Sequence, residues 1–481
     1  MPALTRPYLF YDTAVSICER CLMRVEAKIV FQNGRVYMDK WCPSHGKRRV
    51  LVADDVAYYR MARETFLKSP ERPRQFNTPM RYGCPYDCGI CPDHQQHGCL
   101  SLIEITDRCN LSCPICYAGS GPQRAETKTL AEIEAMLDAV VANEGEPDVV
   151  QISGGEPTLH PDFFTILDMA KARPIRHLML NTNGIRIAEE AGFAERLAEY
   201  QPGFEVYLQF DSLQAPALKD LRGANLTRIR ERALERLNAL NLSTTLVVTV
   251  KKGVNDDELG TILEFASQQP AVRGVTFQPV QAAGRLEGFD PAEHRLTLTE
   301  VRRRILEQTD MFAPEDLIPV PCNADSLAMA YAFKLNGKMI PLTSMLDPQA
   351  LMDASRNTIV LEQEADLRKQ IIKAFATNHS PMSQAQTLKE LLCCLPKVVL
   401  PKKWDYRNVF RIIIMQFSDL HAFDLRAVKK SCVHIAQPDG KLIPFDTYNI
   451  FYRDGAREKW RAIRGHLDAA RELGRHAHLE V

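Results

Sequence analysis

The stretch T-D-R-C-N-L-S-C-P-I-C-Y-A at residues 106–118 sets Cys109, Cys113 and Cys116 at the spacing C-x3-C-x2-C. A closed [4Fe-4S] cluster takes four cysteine thiolates. Three on one short loop leave an iron open to a small-molecule ligand, unless a fourth ligand arrives from elsewhere to complete an ordinary cluster or a zinc site. The surrounding sequence bears on that choice.

Residues 101–106, S-L-I-E-I-T, read as a strand that delivers Cys109 onto the loop after it. Downstream, strand-like runs at 148–153, 177–181, 205–210, 244–250 and 274–278 alternate with helical runs at 130–141, 161–172, 188–200, 226–240 and 256–268. Repeated β-α predicts the α/β class, with a parallel sheet rolled into a full or partial TIM-like barrel. Active-site groups of such barrels sit on the loops after the carboxyl ends of the strands. Those loops carry S-G-G-E-P-T-L-H at 153–160, N-T-N-G at 181–184, Asp211-Ser212, and Q-P-V-Q-A-A-G-R at 278–285. Gly154 and Gly155 let the backbone approach a ligand closely, and Glu156 adds one charge. Polar side chains at successive strand ends can ring a ribose and an amino acid moiety, although each is also ordinary turn chemistry.

The wider composition is that of a globular protein of several domains: 481 residues, 45% hydrophobic and 25% charged. Sixty basic residues balance sixty acidic ones, so no nucleic-acid partner is expected from global charge. No run reaches the 18 or more apolar residues of a membrane span, and residues 1–12 lack the regions of a signal peptide. The expected location is cytoplasmic. In a leaderless chain, fourteen cysteines in tight clusters read as metal ligands rather than disulfides.

Two knuckles, Cys18-x2-Cys21 and Cys42-Pro-Ser-His45, flank a hairpin signal at Asn33-Gly34. They predict a rubredoxin-like Cys3His site for one mononuclear metal, zinc or iron. After a helical run at 54–67 and a proline-rich connector come Cys84, Cys88, Cys91 and Cys99, four thiolates within sixteen residues. These predict an auxiliary [4Fe-4S] cluster, with zinc as the alternative and His94 or His97 as substitute ligands. Cys84, Cys88 and Cys91 repeat the spacing of the opening motif, so spacing alone does not say which triplet is catalytic.

C-N-L-S-C-P-I-C-Y followed by S-G-G-E-P resembles the core of the radical S-adenosylmethionine enzymes, over roughly residues 100–285. The resemblance implies a partial (β/α)6 barrel and an open iron that chelates the amino and carboxylate groups of S-adenosylmethionine. It implies that Gly154, Gly155, Glu156 and Pro157 meet the amino end, and that Asn183, Asp211 and Ser212 meet ribose or carboxylate. It also implies reductive cleavage to a 5′-deoxyadenosyl radical and an external one-electron donor such as flavodoxin or ferredoxin. The knuckle, the four-cysteine motif and a C-terminal D-L-H-A-F-D-L-R-A-V-K-K-S-C-V-H-I…I-P-F-D-T-Y-N resemble a narrower subgroup. It includes the archaeal tetraether lipid synthase and methanopterin-directed methylases. That implies C–C bond formation or one-carbon attachment at an sp3 carbon, with a lipid substrate preferred and a pterin or other small molecule second. A non-catalytic iron-sulfur carrier or scaffold is the alternative of another class.

Where the subgroup carries a cysteine, this chain has Asp446. Cys322, one of Cys393 and Cys394 (Cys394 preferred), Cys432 and Asp446 are candidates for a second auxiliary cluster, with buried free thiols as the alternative. The expected organisation is a metal knuckle at 1–60, an auxiliary-cluster segment at 61–100, a radical core barrel at 101–310 and an α+β cap at 311–481. Helical runs are expected in the cap at 326–335, 365–375 and 457–473. Lys397, Lys402, Lys403 and Trp404 could make a peripheral contact with lipid headgroups, a charged surface loop being the commoner meaning.

Overall fold

The alternation R-V-E-A-K-I-V-F-Q and its neighbours build an antiparallel meander. Strands β1 (Leu9–Ile17), β2 (Arg24–Gln32), β3 (Arg35–Cys42) and β4 (Gly46–Ala53) pair in sequence order. Asn33 and Gly34 both take positive φ, 52° and 73°, as a two-residue hairpin turn requires. The computed structural model describes residues 6–66, 72–320, 323–335, 338–341, 343, 408–453 and 457–477. Cys322, Cys393, Cys394, the expected helix at 365–375 and the Lys397–Trp404 segment lie outside the described residues.

The remaining strands are β5 (Leu100–Glu104), β6 (Ile115–Cys116), β7 (Val149–Ser153), β8 (His177–Thr182), β9 (Phe204–Gln209), β10 (Thr244–Val250), β11 (Val272–Pro279), β12 (Arg285–Leu286), β13 (Ile318–Pro319), β14 (Leu327–Leu335), β15 (Lys338–Pro341), β16 (Val409–Met415), β17 (Val433–Ala436) and β18 (Leu442–Pro444). β6 and β12 form a small ribbon of their own. The others make one sheet in the order β13-β14-β16-β11-β10-β9-β8-β7-β5-β17-β18, with β15 on β14. From β16 across to β17 every pairing is parallel. This is the expected partial barrel: the core strands β5 and β7 to β11, extended at its two edges by β16 and β17. Both added strands come from the C-terminal third, so the sheet runs through the boundary expected at residue 310.

Three local expectations change. The single helix at 188–200 is two short ones, Ile185–Glu189 and Phe193–Ala198, because Gly192 between them takes φ 78° and starts the second. The run at 326–335 is strand β14, not helix: its alternating A-M-A-Y-A-F pairs antiparallel with β16 from Leu327↔Met415 to Phe333↔Val409. A helix not foreseen, Ala215–Arg222, starts with Pro216 in its first turn and stops at Gly223 in left-handed conformation. The terminal helix, Arg457–Ala477, lies where helical spacing placed it. Among the described residues no helix is long and apolar enough to cross a membrane.

Helices pack the outer face of the sheet through a core that includes Ile133, Ile152, Leu180, Leu208, Leu246 and Val275. The inner face is layered. At the amino ends of the strands, Glu205 accepts from Thr245 Oγ1 and pairs with Arg411, and His177 Nε2 lies 3.2 Å from its other oxygen, all deeply buried. Gly274 belongs to this layer, since a Cβ there would fall 2.3 Å from the Arg411 carbonyl oxygen. Above it Val149, Met179, Tyr207 and Val247 pack together as an apolar plate. The lumen above that plate is open, and the loops at the carboxyl ends roof it.

Candidate active site

Backbone hydrogen bonds hold the loop that follows β5 in place. Cys109 N–H donates to the Gly121 carbonyl at 3.2 Å, and β6 within the loop pairs Cys116 with Arg285 of β12. Arg285 Nε donates to the Cys113 carbonyl at 2.6 Å, and its Nη2 to that of Ser120 at 2.8 Å. Gly284 has no room for a side chain: a Cβ would sit 2.3 Å from the Tyr117 carbonyl and 2.4 Å from that of Cys116. A-G-R at 283–285 is thus a clamp on the cysteine loop rather than a ribose contact.

Cys109, Cys113 and Cys116 all face one cavity, which holds about 1240 Å³ of free space with its mouth included. Burial pushes the Cys109 thiol up to about 12, and Cys113 rises for the same reason against the nearby Arg222 guanidinium. Buried neutral thiols of this kind are poor nucleophiles, whereas a bound metal would deprotonate them. Three thiol donors on one loop suit a cluster.

Gly154 and Gly155 stand against the cysteine loop. Gly155 N–H donates to the Thr106 carbonyl at 2.7 Å and Glu156 N–H to that of Arg108 at 2.9 Å. A Cβ on Gly154 or Gly155 would lie 2.3 Å from those same two oxygens. Both glycines also line the cavity; Glu156 and Pro157 do not. The Glu156 carboxylate is occupied by Thr158 N–H at 3.3 Å, the Thr158 and Thr182 hydroxyls at 2.7 and 2.8 Å, and Asn183 N–H at 2.8 Å. It stitches two strand-end loops together, which corrects its assignment to the cofactor's amino group. Pro157 opens the short 3-10 turn capped by Glu156.

Asn183 does line the cavity, and its Nδ2 donates to Asn110 Oδ1 of the cysteine loop at 2.7 Å. Asp211 and Ser212 do not reach it. Asp211, at φ 67°, is fully buried and accepts from Arg222 Nε at 2.7 Å, with Arg230 Nη2 at 3.7 Å. Burial opposes its charge, but these two guanidinia hold its carboxyl below the usual range. Ser212 donates to Glu258. The groups facing the cavity at this strand end are the arginines themselves. Arg230 donates through Nη1 to the Asn183 carbonyl, while its Nε and Nη2 are buried with no hydrogen-bond partner. Burial, partly offset by Asp211, brings Arg230 down to about 10, so it remains a cation at neutral pH. Sequence gave no sign of this: R-I-R-E-R at 228–232 reads as a solvated helix face, and only Gly223 after Arg222 marks a helix end.

Below the cysteines the lumen is lined by neutral amides. Arg222 Nη2 donates to Gln209 Oε1 at 2.9 Å, Gln209 Nε2 to Asn181 Oδ1 at 2.7 Å, and Asn181 Nδ2 to Ser153 Oγ at 3.1 Å. Across the lumen Gln278 Nε2 donates to Tyr207 OH at 3.1 Å. Tyr117, Phe417 and Phe445 form an aromatic wall, with ring centroids 4.9 Å apart for Tyr117–Phe445 and 4.0 Å for Phe417–Phe445.

The other cysteines fall into separate places. Cys18, Cys21, Cys42 and His45 bring their ligand atoms within 4.8 Å of one another, with both Cys18 Sγ and Cys42 Sγ close to His45 Nδ1 at 3.4 and 3.5 Å. One tetrahedral ion fits that set. Cys84, Cys88 and Cys91 interact with one another, and Cys88 Sγ lies 2.8 Å from Thr447 Oγ1. Cys99 packs instead in the apolar cluster of Cys432 and Phe445, its sulfur 3.6 Å from His97 Nε2. Leu100 N–H donates to the Cys432 carbonyl at 3.1 Å, which sets Cys99 beside Cys432. His94 is paired with His434, Nε2 to Nε2, at 3.1 Å. Asp446 accepts from Ser418 N–H and, at 3.1 Å, from the Ser431 hydroxyl, which accounts for its burial without a metal.

A parallel partial barrel, three cysteines on the loop after its first core strand and a glycine pair on the next loop define a radical S-adenosylmethionine enzyme. Residues 103–266 match the Radical SAM superfamily, and residues 10–54 match the HMPTM N-terminal zinc ribbon domain. Over residues 103–266 the chain is of the radical S-adenosylmethionine type. It is 29% identical to 7,8-dihydro-6-hydroxymethylpterin dimethyltransferase of Methanocaldococcus jannaschii, over 93% of this chain and 95% of that protein. It is 29% identical to GTP 3',8-cyclase of Alkaliphilus oremlandii over 38% of this chain and 57% of that protein. Among solved structures, SuiB of Streptococcus suis bound to S-adenosylmethionine overlaps 44% of this chain and 47% of its own, with 17% identity and a TM-score of 0.38.

Proposed function

We propose that this enzyme attaches a methyl or other one-carbon unit to a pterin-type heterocycle, with Cys109, Cys113 and Cys116 as the ligands of its radical cluster. When bound, the cluster and S-adenosylmethionine supply a carbon radical able to take hydrogen from an unactivated carbon. The chain's own residues then bind and exclude. Arg230, held by Asp211 and the Asn183 carbonyl, brings its positive charge to the cavity wall for a carboxylate, Gly154 and Gly155 let their loop close against the cysteine loop, and Asn183 ties the two together. Cys84, Cys88 and Cys91 are proposed to hold an auxiliary cluster within the 61–100 segment, and the Cys18–His45 knuckle a zinc ion. The electron donor is taken to be external.

The observation that carries the substrate reading is the short, amide-lined lumen. The plate of Met179, Tyr207 and Val247, sealed beneath by Glu205 and Arg411, blocks the path a long acyl chain would need among the described residues. The carboxamides above it, among them Gln151, Asn181, Gln209 and Gln278, suit a flat heterocycle with ring nitrogens and an oxo group. The pterin named in the Methanocaldococcus relative agrees with that lining, whereas the lipid expectation finds no support in the comparisons or in the cavity. The test is anaerobic incubation of reconstituted enzyme with S-adenosylmethionine and dithionite. Wild type is expected to form 5′-deoxyadenosine, with 7,8-dihydro-6-hydroxymethylpterin increasing the yield, and Cys113→Ala to form none. Equal yields from wild type and Cys113→Ala would refute the enzymatic reading.

A further inference from the structure

Among the amides of the lumen, Gln151 differs from the rest. It projects from the middle of β7, is 4% exposed and lines the cavity, yet among the described residues its side chain makes no hydrogen bond. Its neighbours are committed. The carbonyl oxygens of Gln209 and Asn181 are taken by Arg222 and Gln209, which fixes both amides and leaves them only N–H groups to present to the lumen. Gln278 spends an N–H on Tyr207. Gln151 alone keeps both its carbonyl and its N–H2 free in one plane.

The amide opens onto the cavity, so a ligand that displaces water from it without replacing the hydrogen bonds leaves it unpaired, at a cost of about 1–3 kcal/mol. A free carboxamide offers an acceptor and a donor side by side, the complement of a lactam edge in which a ring N–H adjoins a C=O. Leu102 pairs with Gln151 in the sheet and faces the same cavity without polar groups. Among the described residues no carboxylate side chain lines the cavity. The edge to be read is therefore neutral.

Resting on the pterin reading above, the geometry points to Gln151 as the residue that selects the substrate, by pairing its carboxamide with the lactam edge of the heterocycle's pyrimidinone ring. The shared chemistry is an N–H/C=O edge, which pterins have in common with guanine. Fixing this edge against β7 sets the opposite end of the bicycle, where its side chain is attached, toward the far wall. A site built around such a pair discriminates strongly against an analogue that cannot form it, because the amide would then stay buried and unpaired.

The test is equilibrium fluorescence binding of 6-hydroxymethylpterin and its N3-methyl analogue to anaerobically reconstituted holoenzyme, with iron content and circular dichroism checked for each variant. Wild type is expected to bind the parent pterin at least about tenfold more tightly than the N3-methyl form. Gln151→Leu is expected to lose that preference by weakening the parent alone, and Gln151→Asn to retain part of it. Equal binding of both pterins by wild type, or an unchanged preference in Gln151→Leu, overturns the proposal. The wild-type comparison holds even if a variant fails to fold. If wild type binds neither pterin, direct titration of guanosine by calorimetry separates the two readings. Guanosine binding that Gln151→Leu weakens keeps the edge-reading role while the pterin function falls, and no binding of any of the three removes both.

Discussion

At the scale of single residues, the site's positive charge comes from Arg222 and Arg230, both drawn to the buried Asp211 carboxylate. Cys109, Cys113 and Cys116 were legible because their spacing is itself chemistry, and Gly154 and Gly155 because a paired glycine after a strand implies close approach. Asp211 and Ser212 were misplaced by one layer. Their strand end is correct, but a buried carboxylate attracts guanidinia, and Arg222 and Arg230 then take the places facing the cavity. Which face of the 227–239 helix turns inward is a tertiary fact that no local pattern carries. Arg230→Gln should weaken S-adenosylmethionine binding by about 10- to 100-fold, the range expected when a hydrogen-bonded charge loses its partner. Titration calorimetry on reconstituted protein reads this directly, with iron content unchanged. Affinity equal to wild type would show that Arg230 does not meet the cofactor.

At the scale of elements, the β-α rhythm revealed the core strands because buried parallel strands read as continuous apolar runs. What it hid was the layer of charge among them. Glu205 and Arg411 interrupt otherwise apolar strands, and their pairing joins β9 to β16 across more than two hundred positions of sequence. Burial opposes ionisation of Glu205, but Arg411 and His177 more than offset it and hold the carboxyl below its usual range. Its contribution to stability is therefore complete above the ordinary carboxylate pKa of about 4.3 and declines as pH falls below that value. Glu205→Gln, which strands Arg411, should cost about 3–5 kcal/mol at neutral pH by urea denaturation, and the gap from wild type should narrow below about pH 4. A gap that is small at neutral pH, or constant through acid, would contradict the sealing role given to this layer. The mistaken helix at 326–335 has a related cause, because alternating Ala and larger residues satisfies either period until β16 is there to pair with it.

At the scale of the molecule, the expected C-terminal cap is built into the wall of the site, and the knuckle is tied to that cap. β16 and β17 flank the core strands, Phe417 and Phe445 complete the aromatic wall, and Arg453 grips Glu104 at the end of β5 through a bidentate pair at 2.6 and 3.1 Å. Lys40, buried beside the knuckle, donates to the carbonyls of Ile17, Leu420 and His421, tying the metal-binding sheet to the loop that follows β16. Sequence could place these segments in order but not against each other, since long-range packing leaves no local signature. The assembled cavity is short, aromatic on one side and amide-lined on the other, closed at its base and roofed by the three cysteines. The most direct test of that account is to give the reconstituted enzyme a reductant, 7,8-dihydro-6-hydroxymethylpterin and an excess of S-adenosylmethionine, one molecule as radical source and a second as methyl donor, and to follow the pterin by mass spectrometry. The account predicts a pterin that has gained a methyl group, with none formed by Cys113→Ala. Steady production of 5′-deoxyadenosine while the pterin stays unchanged would contradict it.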